Sequence, residues 1–118
     1  MANKNIKWFK VAGSINEISW QNNLAVAEAG GKKITLVKAD NTLFACAYKC
    51  PHAGGILADG FIDAAQNIIC PLHRYKFNLA NGRNISGEGY YLKTYTVEER
   101  EAGIFIGFEE SNWLNIFG

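Results

Sequence analysis

The sequence predicts an all-β protein built of stacked antiparallel sheets. Three observations predict it: short segments that alternate apolar with polar or small residues, turn pairs of glycine, aspartate and asparagine between them, and no long amphipathic helix. Ile6 to Val11 (Ile-Lys-Trp-Phe-Lys-Val) forms a first strand closed by Gly13-Ser14. Ser14 to Ile18 reads as a single capped helical turn, because serine followed three residues on by Glu17 is a capping box. Leu24 to Glu28 and Lys33 to Lys38 pair through Gly30-Gly31, which supplies the positive φ of a tight hairpin. Asp40-Asn41 makes a second turn into Leu43 to Lys49, completing a three-stranded meander. From Cys50 to about Gly89 the texture is that of a loop-rich insertion, with both prolines, six of the twelve glycines and only short apolar runs at Asn67 to Ile69 and Lys76 to Leu79. Strand patterning resumes at Tyr91 to Val97 and Gly103 to Phe108, with Trp8, Trp20 and the remaining aromatics assigned to the core.

At 118 residues, 48% apolar and 19% charged, the chain suits one ordinary domain with a real core. Apolar stretches such as Leu43 to Tyr48 fall far short of the roughly 20 residues of a membrane helix. The first five residues lack the apolar heart of a secretory signal. A net charge of +1 gives no electrostatic footprint for nucleic acid or acidic lipid. Three cysteines make a poor disulfide framework and fit a reducing cytoplasm, the expected location.

The rare residues cluster. Both prolines directly follow a cysteine, and both histidines lie two or three residues after one, in Cys50-Pro51-His52 and Cys70-Pro71-Leu72-His73. The pattern is C-x-H-x17-C-x2-H. Structural zinc sites take ligands two to four residues apart within a knuckle, so a Cys-x-His box is too tight for the usual zinc turn. A binuclear iron–sulfur cluster instead asks each of two facing loops to span two metals, which two mixed boxes can do. Proline after each cysteine fixes φ near −65° and stiffens the loop. Gly54-Gly55 permits close approach of the backbone.

The boxes Cys50-Pro-His52-Ala-Gly-Gly and Cys70-Pro-Leu-His73-Arg-Tyr-Lys-Phe resemble those of Rieske [2Fe–2S] proteins, most closely the small ferredoxins that serve ring-hydroxylating dioxygenases. The likeness extends through Phe77-Asn-Leu-Ala-Asn-Gly82-Arg and Leu92-Lys-Thr-Tyr95 and covers about residues 6 to 108. It implies one Rieske domain over residues 1–118, with a cluster-binding part at about 46–90 and an apolar tail at 109–118 that packs back on the domain or meets a partner. It implies one [2Fe–2S] cluster, Cys50 and Cys70 holding the inner iron and His52 and His73 the outer, exposed one. It also implies a one-electron carrier without catalytic residues, fed by an NAD(P)H-dependent flavin reductase and discharging to a terminal oxygenase.

Two ferric ions, two sulfides and two thiolates sum to zero and reach −1 on reduction, whereas four thiolates give −2 and −3. Histidine ligation therefore raises the potential, to about −150 to +300 mV against about −400 mV. High-potential family members add a disulfide and hydroxyl donors. The corresponding positions here are Gly55 and Leu72 for the disulfide and Tyr75 and Phe77 for the donors, with Tyr75 expected to point elsewhere. Fewer donors to sulfur leave the potential near the low end, about −150 mV. Ser86-Gly-Glu-Gly-Tyr90 replaces the proline-containing loop that covers the cluster in low-potential relatives, implying a looser and slightly acidic cover.

Cys46 reads as a small buried hydrophobe, and Lys49, Arg74 and Lys76 as ordinary charges or as steering charges for an acidic partner. Asn84-Ile-Ser86 matches a glycosylation sequon that the lack of a signal peptide discounts. Two other readings stay open: the small subunit of a larger, nitrite-reductase-like enzyme, and a zinc-stabilised binding module.

Overall fold

Nine strands pair into two antiparallel sheets in a computed structural model that describes residues 5–51 and 54–110. The strands are β1 (Asn5–Ala12), β2 (Leu24–Ala29), β3 (Lys32–Ala39), β4 (Thr42–Ala47), β5 (Phe61–Ile62), β6 (Asn67–Ile69), β7 (Lys76–Asn78), β8 (Thr94–Arg100) and β9 (Gly103–Glu110). A six-stranded sheet runs β1-β9-β8-β4-β3-β2, and a small one runs β5-β6-β7. The expected meander is β2-β3-β4. Its turns place Gly30, Gly31, Asp40 and Asn41 at φ between +50 and +80°, the twist that a two-residue hairpin needs.

The large sheet curls on itself. Phe9 and Val11, Ala25 and Ala29, Ile34 and Leu36, Ala45, Val97, Ile106 and Phe108 meet in one core. The opposite face of the meander gives Leu24, Val37 and Cys46 to a second core, shared with Leu57, Ile68, Phe77, Leu79 and Leu92 beneath the small sheet. β3 is buried on both faces, and alternation along Ile34-Thr35-Leu36-Val37 deals its side chains to the two sides.

Four expectations need correction. Ser14 makes no side-chain cap; Glu17 reaches back to accept from Gly13 N–H at 2.9 Å, and the turn is a 3-10 turn over Ile15–Glu17. The third meander strand stops at Ala47 rather than Lys49. The strand expected at Tyr91 to Val97 starts at Thr94, because Tyr91 makes only an isolated bridge to Arg83. Trp8 is not a core residue, and Phe61 and Tyr91 are exposed rather than in the core. The Trp8 ring lies over Gly107 on the outer face, where a Cβ would be 2.9 Å away, and carries the Arg100 guanidinium 4.7 Å above it. Phe9, its neighbour of opposite orientation, fills the core instead.

Everything from Tyr48 to Lys93 is spliced between two adjacent strands. β4 and β8 pair directly, Ala45 opposite Tyr95 and Cys46 opposite Thr94, and Ala47 N–H donates to Lys93 O at 2.9 Å. The proposed ligand boxes hang from this junction.

Candidate metal centre

Two turns build the site. The first closes on itself: Cys50 N–H donates to Gly55 O at 2.7 Å and Gly54 N–H to Cys50 O at 3.0 Å, with Gly54 at φ +73°. The second follows β6, where Cys70 N–H donates to Tyr75 O at 2.9 Å and the chain reverses through His73 and Arg74 at φ +63 and +58°. Two consecutive non-glycine residues in the left-handed region carry strain, which proteins concentrate at functional turns.

Cys50 and Cys70 are both buried, free of disulfides and hydrogen-bonded thiol to thiol, so the two turns deliver their sulfurs to one place. Burial pushes the Cys70 thiol up to about 11; the amide of Leu72, donating to the sulfur, works against this, and the Cys50 thiol adds to it. A metal cation beside the pair would reverse that balance and hold both as thiolates. Glycine at 55 is what leaves the sulfur its space: a Cβ there would stand only 2.9 Å from Cys70 Sγ. The same Cβ would lie 3.1 Å from Leu72 Cγ, so the positions that carry a disulfide in high-potential relatives are indeed neighbours and hold none here.

His73 is exposed at the tip of its turn. His52 lies outside the described residues, as does the apolar tail Trp113 to Phe117, while Glu109 and Glu110 belong to β9. Among the described residues no three potential ligands converge; the structure brings together the two thiols. The donor set of two buried thiols on facing turns, with an exposed imidazole three residues past one of them, fits a mixed Cys/His cluster.

The profile of the Rieske [2Fe–2S] domain matches residues 7–96. The chain belongs to the Rieske [2Fe–2S] family. One Rieske [2Fe–2S] cluster goes with that domain. A stretch of 107 residues, 84% of the chain, is 32% identical to cholesterol 7-desaturase of Bombyx mori and spans 23% of that longer protein. The ferredoxin component of the Pseudomonas putida naphthalene 1,2-dioxygenase system is 26% identical over 86% of the chain and 95% of its own length. The ferredoxin of carbazole 1,9a-dioxygenase from Nocardioides aromaticivorans IC177 shares the fold with a TM-score of 0.74 at 20% identity, over 85% of this chain and 96% of that one.

Around the Rieske site one side chain differs from expectation. Tyr75 does not turn away; it packs against the core that holds both cysteines, with its ring 6.3 Å from His73 and 6.0 Å from Tyr90. Its hydroxyl pKa is raised by desolvation, then by Glu88, Tyr90 and Cys50. Arg74 lies 6.0 Å over the Phe61 ring and Lys76 sits 4.0 Å from Asp63 with its side chain 45% exposed, as ordinary solvated charges do. Cys46 is buried as expected, its thiol pushed up to about 12 by burial against a lowering bond with Thr35. Sequence reasoning missed Asn84. Its signal was an asparagine followed by Ser86, two glycines and Glu88, a concentration of short polar groups able to bond the backbone.

Proposed function

We propose that this chain is a low-potential Rieske ferredoxin, with Cys50 and Cys70 ligating one iron and His52 and His73 the other. It passes single electrons in the cytoplasm from an NAD(P)H-dependent flavin reductase to a ring-hydroxylating oxygenase. The observation that carries the ligand set is the meeting of two buried thiols from two separate turns, with His73 exposed beside one of them. The cluster supplies reversible one-electron chemistry. The chain buries the sulfurs, donates the Leu72 amide to Cys70, and leaves His73 at the surface where a partner can approach. Support for the partner comes from relatives named as ferredoxin components of dioxygenase systems, and from a related ferredoxin seen in complex with its carbazole dioxygenase oxygenase. Support for a low potential is the absence of a hydroxyl at Phe77, which lies fully buried, and of any disulfide between residues 55 and 72.

Film voltammetry of the purified protein from about pH 6 to 11 tests this reading. A reversible wave near about −150 mV, falling only at the alkaline end, is expected. A wave near about +300 mV would refute the low-potential assignment, and a metal-loaded protein with no wave would be a zinc module. The match inside a longer desaturase favours a second reading, in which the same cluster serves within a larger oxidoreductase. Co-purification of a stable large subunit would select it.

A further inference from the structure

The segment after β7 folds back onto the second box. Ile85 N–H donates to Lys76 O at 2.8 Å, and Lys76 N–H donates to Ser86 Oγ at 2.9 Å, three residues beyond His73. Asn84 ties this anchor to the rest of the segment. Its Nδ2 donates to Lys76 O at 3.1 Å, to Glu88 Oε1 at 2.9 Å and more weakly to Ser86 Oγ at 3.3 Å. Its Oδ1 accepts from Glu88 N–H and, at 2.9 Å, from Gly89 N–H. Ser86 Oγ in turn donates to Glu88 Oε1 at 2.5 Å. Gly87 and Gly89, at φ +92 and +86°, allow the chain to wrap round this one carboxamide. Tyr90 leaves the wrap with its ring 6.0 Å from Tyr75, which packs on the core holding Cys50 and Cys70.

A cover expected to be loose for want of a proline is therefore cross-tied by a side chain. The same bonds explain why the sequon has a structural use: the Asn84 nitrogen is turned inward onto three acceptors, where a glycan has no place.

We propose that Asn84 is a positioning residue of the redox centre, holding residues 84–90 closed so that Tyr90 covers Tyr75 and limits water around the cluster. The proposal rests on the reading that Cys50, Cys70 and the two histidines hold that cluster. Reduction takes the cluster from neutral to −1, so water and a more distant Glu88 carboxylate both favour the added electron, and opening the cover raises the potential.

The test uses cluster-loaded protein and reads potential, iron content and hydrogen exchange by mass spectrometry. Asn84→Ala should keep its iron and speed exchange at the Glu88 and Gly89 amides by about tenfold or more. Its potential should rise by the equivalent of about a threefold to tenfold change in the redox equilibrium, tenfold being 59 mV for one electron. Tyr90→Ala should raise the potential without the exchange effect. The paired swap Asn84→Asp with Glu88→Gln re-forms the bond between residues 84 and 88 with its direction reversed but leaves Lys76 O without its donor, so it should restore both readouts in part. Full iron with an unchanged potential in Asn84→Ala or in Tyr90→Ala overturns the proposal. If Asn84→Ala loses its cluster, Tyr90→Ala decides alone. A parent protein without a Rieske spectrum would instead strike the ligand assignment, which the exchange pattern does not address.

Discussion

Replacing Gly55 with alanine places a methyl group 2.9 Å from Cys70 Sγ and 3.1–3.2 Å from the Leu72 side chain. Nonbonded carbon contacts are comfortable at about 3.5–4.0 Å, so the sulfur or the turn must yield by roughly 0.5 Å. Metal–ligand distances tolerate about ±0.2 Å. The displaced atom is a proposed ligand, so the damage should fall on cluster binding before it falls on the β-scaffold. Gly55 has no positive φ, which removes backbone strain as a rival cause. Gly54→Ala is the matched control. Its φ of +73° carries about 1–2 kcal/mol of strain, yet its Cβ meets none of the described residues within 4 Å. Iron and acid-labile sulfide per chain, with visible circular dichroism after anaerobic reconstitution, report loading, and far-ultraviolet dichroism reports the scaffold. Gly55→Ala should bind its cluster about tenfold to a hundredfold more weakly on a scaffold that still folds. Gly54→Ala should load fully and melt earlier. A Gly55→Ala protein with full loading, the parent's spectrum and the parent's resistance to chelators would refute the steric argument.

Three further outcomes follow from the same coordinates. Cys46 holds its proton in the fold up to about pH 12 against an ordinary 9.0, so its contribution is complete below pH 9 and is lost as pH rises toward 12. Unfolding free energies from urea titrations should fall over that range by up to about 1.4 kcal/mol per pH unit, and Cys46→Ala should flatten the slope. Asp63 is raised by desolvation but held below its ordinary value by bonds from the Asn67 side chain and backbone, the Ala65 amide and the Lys76 charge. Its stabilisation is present above the ordinary carboxylate range and lost as pH falls through the lowered value; Asp63→Ala should cost about 1–2 kcal/mol at neutral pH and little in acid. Gly82→Ala would drive a Cβ to 1.9 Å from Leu92 O at φ +77°, where only backbone can give way, and a loss of about 4 kcal/mol or failure to fold is expected in thermal melts.

The meander was legible because local chemistry fixes it: Gly30-Gly31 and Asp40-Asn41 force tight turns, and alternation sets the register. The meeting of Cys50 and Cys70 was legible because cysteine, histidine and proline are rare and cluster in two short boxes. Tyr75 and Trp8 were misread for one reason, since a large ring is placed by neighbours far away in sequence: Tyr90 and the cysteine core for one, Gly107 and Arg100 for the other. Ser14 failed as a cap because the Glu17 N–H that its hydroxyl would accept from donates instead to the Ser14 carbonyl, at 3.1 Å, in the 3-10 turn. The knot at Asn84 escaped because its partners, Lys76 and Gly89, stand on either side of it in the chain.

The pairing of β4 with β8 has an evolutionary meaning. The stretch from Tyr48 to Lys93 leaves and rejoins the scaffold at neighbouring positions, like a cassette clipped into a socket. Closing a longer loop across fixed ends costs only about 0.6 kcal/mol per doubling of its length. A lineage can therefore lengthen, shorten or rewrite the redox tip, altering partner and potential, while the remaining strands keep their register. The socket can stay as it is while the cassette changes.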